Sequence, residues 1–222
     1  MAHYLVFLGS TRTSTPPSPP RLGERVAKSC ERLLSSLPNT TAELIDPLAL
    51  NLGDPFKPHF AYAKTDTPDD LAALAGKIAH ADGYVMVSPE YNHSMSPALS
   101  HLLNHFGASL FAFKPSAIVT YSMCQWGGVR AAVAMRAFLS ELGCLPVSAM
   151  IHIPNAQDAL TEEGQFAQEQ ERWKSYFGRT LGQLMWWAEA ASRYKSQLDP
   201  TRISPAFKTA PSQRNAPDGE AT

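Results

Sequence analysis

Alternation between short apolar runs and stretches of helical period is the feature that most narrows the fold open to this chain. Tyr4-Leu5-Val6-Phe7-Leu8, Tyr84-Val85-Met86-Val87 and Ala117-Ile118-Val119 read as strands. After the first, Leu22, Val26, Cys30, Leu33 and Leu37 recur at helical spacing over 22–36. After the second, Ser96-Pro97 is an N-cap followed by a proline at the first helical position, and Leu99, Leu102, Leu103 and Phe106 continue as one stripe. Further strands are expected near 42–45 and over 145–153, and further helices over 69–81, 129–142 and 162–198. Five strands joined by helices imply right-handed crossovers and therefore a parallel sheet. The expected order is 2-1-3-4-5, whose switch point lies between strands one and three.

Three loops then converge at the carboxyl edge of that sheet, where open α/β sheets bind ligands. The first is Gly9-Ser10-Thr11-Arg12, with two hydroxyls and a guanidinium ahead of the helix that begins at Leu22. That composition suits a phosphate, because arginine offers forked donors and a helix N-terminus adds its dipole. The second is Ser88-Pro89-Glu90-Tyr91-Asn92, whose backbone groups suit the rim of a flat heterocycle, with Tyr91 beside them. The third, Thr120-Tyr121-Ser122-Met123-Cys124-Gln125-Trp126-Gly127-Gly128, ends in paired glycines that let backbone approach a ligand closely. Each alone is also an ordinary turn; three of them after three strands of one sheet make a site.

Taken in order, Gly9-Ser10-Thr11-Arg12, then Arg21-Leu22-Gly23-Glu24-Arg25-Val26-Ala27, then Pro89-Glu90-Tyr91-Asn92, then Ser122 with Gly127 and Gly128, resemble the NADPH-dependent FMN reductase family over about residues 3–155. The resemblance implies a flavodoxin-like three-layer α/β sandwich. It implies FMN bound with its phosphate at Ser10, Thr11 and Arg12, and its ring bordered by Pro89, Glu90, Tyr91, Asn92, Ser122, Gly127 and Gly128. It further implies NADPH or NADH as co-substrate, a quinone, flavin, azo compound or similar small molecule as acceptor, and a homodimer or homotetramer. The run Thr13-Ser14-Thr15-Pro16-Pro17-Ser18-Pro19-Pro20 departs from the family by lengthening the phosphate loop, which leaves open whether Arg21 reaches the phosphate. The insert is expected to be mobile, and Thr15-Pro16 and Ser18-Pro19 are proline-directed phosphorylation patterns.

At 222 residues with 44% hydrophobic content, the chain is expected to form one domain over 1–199. Residues 200–222, rich in Pro, Ser, Thr, Ala and charge, read as a disordered tail. A formal net charge of −1 without a basic stripe gives no expectation of nucleic acid or an anionic membrane. Cys30, Cys124 and Cys144 form no Cys-x-x-Cys pair, and an odd, low count points to a reducing, cytoplasmic setting. The start has no basic segment and too short an apolar run for a signal peptide, and no run approaches a membrane span. His101 and His105 have helical spacing but lack a zincin glutamate between them, so they read as a surface pair rather than a metal site.

No side-chain nucleophile with its partners is found near the three loops, so no catalytic side chain is assigned. Cys124 and Arg130 have nearly a phosphatase spacing, but that loop belongs after strand one. Glu90 reads as a loop carboxylate rather than a general acid. A flavin removes the need for catalytic side chains, because the cofactor carries the redox chemistry. The expected function is therefore FMN-dependent hydride transfer from NAD(P)H through flavin N5 to an acceptor by a ping-pong mechanism, with Tyr91, Met123 and Trp126 as apolar walls. The alternatives are a flavin-binding regulatory or interaction protein and a flavodoxin-like electron carrier.

Overall fold

The computed structural model describes residues 1–13, 21–53 and 55–203. Strands β1 (Ala2–Leu8), β2 (Thr40–Ile45), β3 (Gly83–Pro89) and β4 (Pro115–Tyr121) are all parallel, in the order β2-β1-β3-β4. Two short edge pieces follow, β5 (Leu145–Pro146) and β6 (Ile151–Ile153), both pairing with β4. The sheet order is the one expected, and the architecture is flavodoxin-like.

Period-two alternation divides the strands between two cores. Tyr4, Val6, Leu8, Val85, Val87, Val119 and Tyr121 face α1 (Leu22–Ser35) and α7 (Gln170–Gln197), against Val26, Leu34, Phe177, Leu181 and Leu184. Leu5, Phe7, Tyr84, Met86 and Ile118 face α2 (Asp69–His80), α3 (Pro97–Asn104) and α5 (Val129–Glu141), against Leu71, Ile78, Leu99, Leu103, Met135 and Leu139. Short helices α4 (Ala108–Phe111), α6 (Ala156–Ala159) and α8 (Pro200–Ile203) complete the described chain. Among the described residues no helix is long and apolar enough to cross a membrane.

Three expectations need correction. The fifth strand is broken: Pro115 faces Leu145 and Val119 faces Ile151, so four steps along β4 match six along the edge. The extra residues bulge out, and the Gln183 side chain of α7 accepts from Ala149 N at 3.1 Å and from the Ser148 hydroxyl at 2.9 Å in place of a strand. The last helix begins at Gln170 rather than near 162, because residues before it turn back over α1. There Gly164 has φ +72°, and a Cβ on it would overlap the Arg25 carbonyl. His105 is fully buried, not at the surface. The segment before α2 folds over the end of α3: Phe56 sets its ring edge-on to His105 at 4.5 Å, and His59 N donates to the His105 carbonyl at 2.7 Å. The proline-rich insert beyond Thr13, its phosphorylation patterns, and the tail beyond Ile203 lie outside the described residues.

Candidate functional site

The first loop is built by close approach of β1, β3 and α3. Gly9 N donates to the Val87 carbonyl at 2.7 Å, and the Ser96 hydroxyl donates to the Gly9 carbonyl at 2.6 Å while capping α3 through Leu99 N at 3.1 Å. A Cβ on Gly9 would lie 2.5 Å from the Val87 carbonyl oxygen and 2.8 Å from Leu99 Cβ, so only glycine fits here. Ser10 is nearly buried and its hydroxyl accepts from Arg12 N at 3.3 Å; Thr11 and Arg12 are exposed. Among the described residues no carboxylate pairs with Arg12.

Arg21, left open by the sequence, is held from both sides. It donates to both Asp46 carboxylate oxygens, at 2.6 and 2.9 Å, and to the Ser10 carbonyl. Asp46, directly after β2, also accepts from Leu48 N at 3.0 Å. The guanidinium thus props the first loop against the end of β2.

The second loop is a tight turn. Tyr91 and Ser94 exchange backbone hydrogen bonds at 2.9 and 2.8 Å, and Asn92 and His93 between them take φ of 49° and 61°. Two consecutive left-handed residues make this a primed turn, a conformation asparagine and histidine tolerate better than most residues. The turn lifts Tyr91 to 46% exposure. The Glu90 carboxylate points elsewhere, to the start of α5, where one oxygen accepts from Arg130 N at 3.1 Å and Ala131 N at 3.3 Å and the other lies 3.5 Å from the Arg130 guanidinium. It caps a helix from across the site, satisfying N–H groups that have no partner within the helix.

Ser122 organises the third loop: its hydroxyl donates to the Cys124 carbonyl at 2.7 Å and accepts from Gly127 N at 3.0 Å. Gly127 and Gly128 take φ of 58° and 76° and lie against Ile153, Pro154 and Thr120, too close for side chains to be accepted without movement. Met123 and Trp126 are exposed, with the Arg130 guanidinium 5.4 Å from the Trp126 ring. Cys124 is exposed, and hydrogen bonds from the Ser122 side chain and the Trp126 backbone hold its thiol below the ordinary value.

A cleft of about 560 Å³ joins the three loops, lined by Ser10, Arg12, Pro89, Glu90, Tyr91 and Ser122 among the expected residues. Thr11 lines an adjoining cavity with Ser10, Arg12 and Tyr91. Asn92, Gly127 and Gly128 line neither; they shape the turns that form the walls. The cleft also contains Arg21, Gly23 and Tyr121, which were not assigned from sequence. Tyr121 was legible in part, as the last residue of a central strand on the face that alternation gives to α1.

This cleft presents the hydroxyl of Ser10 and the guanidinium groups of Arg12 and Arg21 together with the side chains of Tyr91 and Met123. That combination on a 2-1-3-4-5 sheet defines a flavodoxin-like protein with a site suited to a phosphorylated heterocycle, and the donor set fits the phosphate and ring of FMN. Residues 3–158 match the family model described as NADPH-dependent FMN reductase, and the chain belongs to that family. It is 38% identical over 82 residues to an NADPH azoreductase of Bacillus sp. (strain OY1-2), and 39% identical over 81 residues to a quinone reductase of Escherichia coli (strain K12). These alignments cover 36% and 35% of this chain and only 46% and 43% of the relatives. Among solved structures, the flavoenzyme NAD(P)H:(acceptor) oxidoreductase FerB from Paracoccus denitrificans has a TM-score of 0.65 at 19% identity, covering 86% of this chain and 99% of that one; this likeness speaks to fold.

Proposed function

We propose that this protein is an FMN-dependent NAD(P)H oxidoreductase acting on a quinone, flavin, azo compound or similar small acceptor. The observation that carries the proposal is the single cleft that gathers Ser10 and Arg12 with Pro89, Tyr91 and Ser122. Bound FMN would supply the redox chemistry, taking a hydride from NAD(P)H at N5 and passing two electrons to the acceptor in ping-pong order. The chain's own residues bind and orient. Ser10, Thr11 and Arg12 hold the phosphate. Pro89, Glu90, Tyr91 and Asn92 form one border of the ring, and Ser122, Gly127 and Gly128 the other. Glu90 is spent on the start of α5, which supports a reading without a side-chain acid or base.

The proposal includes a homodimer, or a dimer of dimers, in which the partner covers the open side of the cleft. Tyr91 and Met123, which line the cleft, and Trp126 in the same loop as Met123 support it, at 46%, 52% and 54% exposure. The exposed pair Trp186 and Trp187 does not bear on this point, because Trp187 sits by Pro115 and Leu145, where β4 and β5 start, at the opposite edge of the sheet. We also propose one domain over 1–199, with 200–222 as a tail, and a cytoplasmic setting.

The test is to purify the chain, titrate it with FMN by flavin fluorescence, and follow NADPH and NADH oxidation with a quinone, a flavin and an azo dye. Saturable FMN binding and acceptor-dependent oxidation with parallel double-reciprocal lines are expected. Failure to bind FMN overturns the reading; intersecting lines overturn the ping-pong order. Sedimentation equilibrium giving a mass near 24.2 kDa for an active, FMN-loaded species rules out the shared cleft.

A further inference from the structure

Tyr121 ends β4, two strands away from the first loop, yet it lines the same cleft as that loop. Its side chain runs beneath the first turn of α1. Gly23 in that turn makes the room: a Cβ there would overlap the Tyr121 hydroxyl and come within 2.9 Å of Leu8 Cδ1. The hydroxyl lies close enough to the first loop for the Ser10 side chain and the charges of Arg21 and Arg12 to act on it. Ser10, Arg12, Arg21, Gly23 and Tyr121 line the same cleft. The phenol is 5% exposed, and burial pushes its proton dissociation well above the ordinary tyrosine range. It therefore stays a neutral O–H donor at every working pH. A neutral donor facing a site that the Arg12 guanidinium makes positive is suited to an anionic oxygen, which accepts a shorter and stronger hydrogen bond than a neutral one.

We propose that Tyr121 is a phosphate-binding residue of this site, donating its hydroxyl to the same phosphate monoester that Ser10 and Arg12 hold. The assignment rests on the FMN reading of the cleft and adds a ligand from β4 to those of the first loop. Arg21 has a different part: with both terminal nitrogens committed to Asp46 and the Ser10 carbonyl, it positions the loop. Gly23 keeps the space that the tyrosine fills.

The experiment compares FMN with riboflavin, which lacks the phosphate, on the full chain and on Tyr121→Phe. The substitution removes one oxygen and keeps the ring, and urea unfolding without flavin checks that the fold is intact. Loss of a hydrogen bond to a charged oxygen predicts an FMN Kd raised about tenfold, with riboflavin Kd changed less than about twofold. Orthophosphate should also protect the flavin-free parent against heat at a lower concentration than it protects the flavin-free variant. An unchanged FMN Kd overturns the assignment. So does equal weakening of FMN and riboflavin, which would mean that the hydroxyl serves the polyol or only the packing. A parent chain that binds neither flavin brings down the reading of the cleft itself, and the assignment with it.

Discussion

Replacing Glu90 separates a structural carboxylate from a catalytic one. Its side chain is 16% exposed, and one oxygen takes two backbone N–H groups at the start of α5, at 3.1 and 3.3 Å. Losing an N-terminal cap of this kind costs about 0.5–2 kcal/mol. The Arg130 contact at 3.5 Å, to a side chain 46% exposed, adds well under about 1 kcal/mol after screening. Glu90→Ala should therefore lose about 1–2.5 kcal/mol in urea unfolding. In a chain of 222 residues that corresponds to a drop in Tm of about 2–10 °C. Glu90→Gln keeps an acceptor oxygen but not its charge and should lose about half as much. Because the carboxylate is engaged by the start of α5, stopped-flow reduction of the FMN-loaded Glu90→Gln variant by NADPH should slow no more than about tenfold. A stability equal to the parent's together with a ~10⁴-fold slower reduction would refute the reasoning, since that is the size expected of a lost proton-transfer group.

Three further outcomes are expected. Arg12→Ala should weaken FMN about tenfold in a fluorescence titration and riboflavin little, since the exposed guanidinium is without a carboxylate partner among the described residues. Gly9→Ala should destabilise by about 2 kcal/mol or more in urea, because Val87 and Leu99 leave no room for a methyl group; a change below about 0.5 kcal/mol would contradict that packing. His105 donates its Nδ1–H to the His101 carbonyl at 2.8 Å, leaving its buried Nε2 without a partner among the described residues, and burial lowers its pKa below the ordinary 6.5. Its folded pKa lies below the unfolded value, so its contribution to stability is intact above about pH 6.5 and falls as pH drops below it, the unfolded chain taking the proton first. Unfolding midpoints at pH 7.5 and 5.5 should differ more for the parent than for His105→Gln.

The sheet and the three loops were legible because their signals are local. Apolar runs such as 4–8 and 84–87, the Ser96-Pro97 cap, and Gly127-Gly128 each state their conformation within a few residues; right-handed crossovers then imply a parallel sheet, and the flavodoxin-like resemblance supplies its order. What the sequence left open depended on partners far along the chain. The fifth strand breaks where Gln183 from α7 replaces a ladder, His105 is buried by Phe56, and Glu90 caps a helix 40 residues ahead. Arg21 turns to Asp46 because β2 ends beside the first loop, and Tyr121 enters the cleft because Gly23 leaves room beneath α1. Periodicity tells which face a side chain takes. Only tertiary packing decides which atoms from other elements wait there, since the free energy of a polar contact depends on distance and burial that no local pattern encodes.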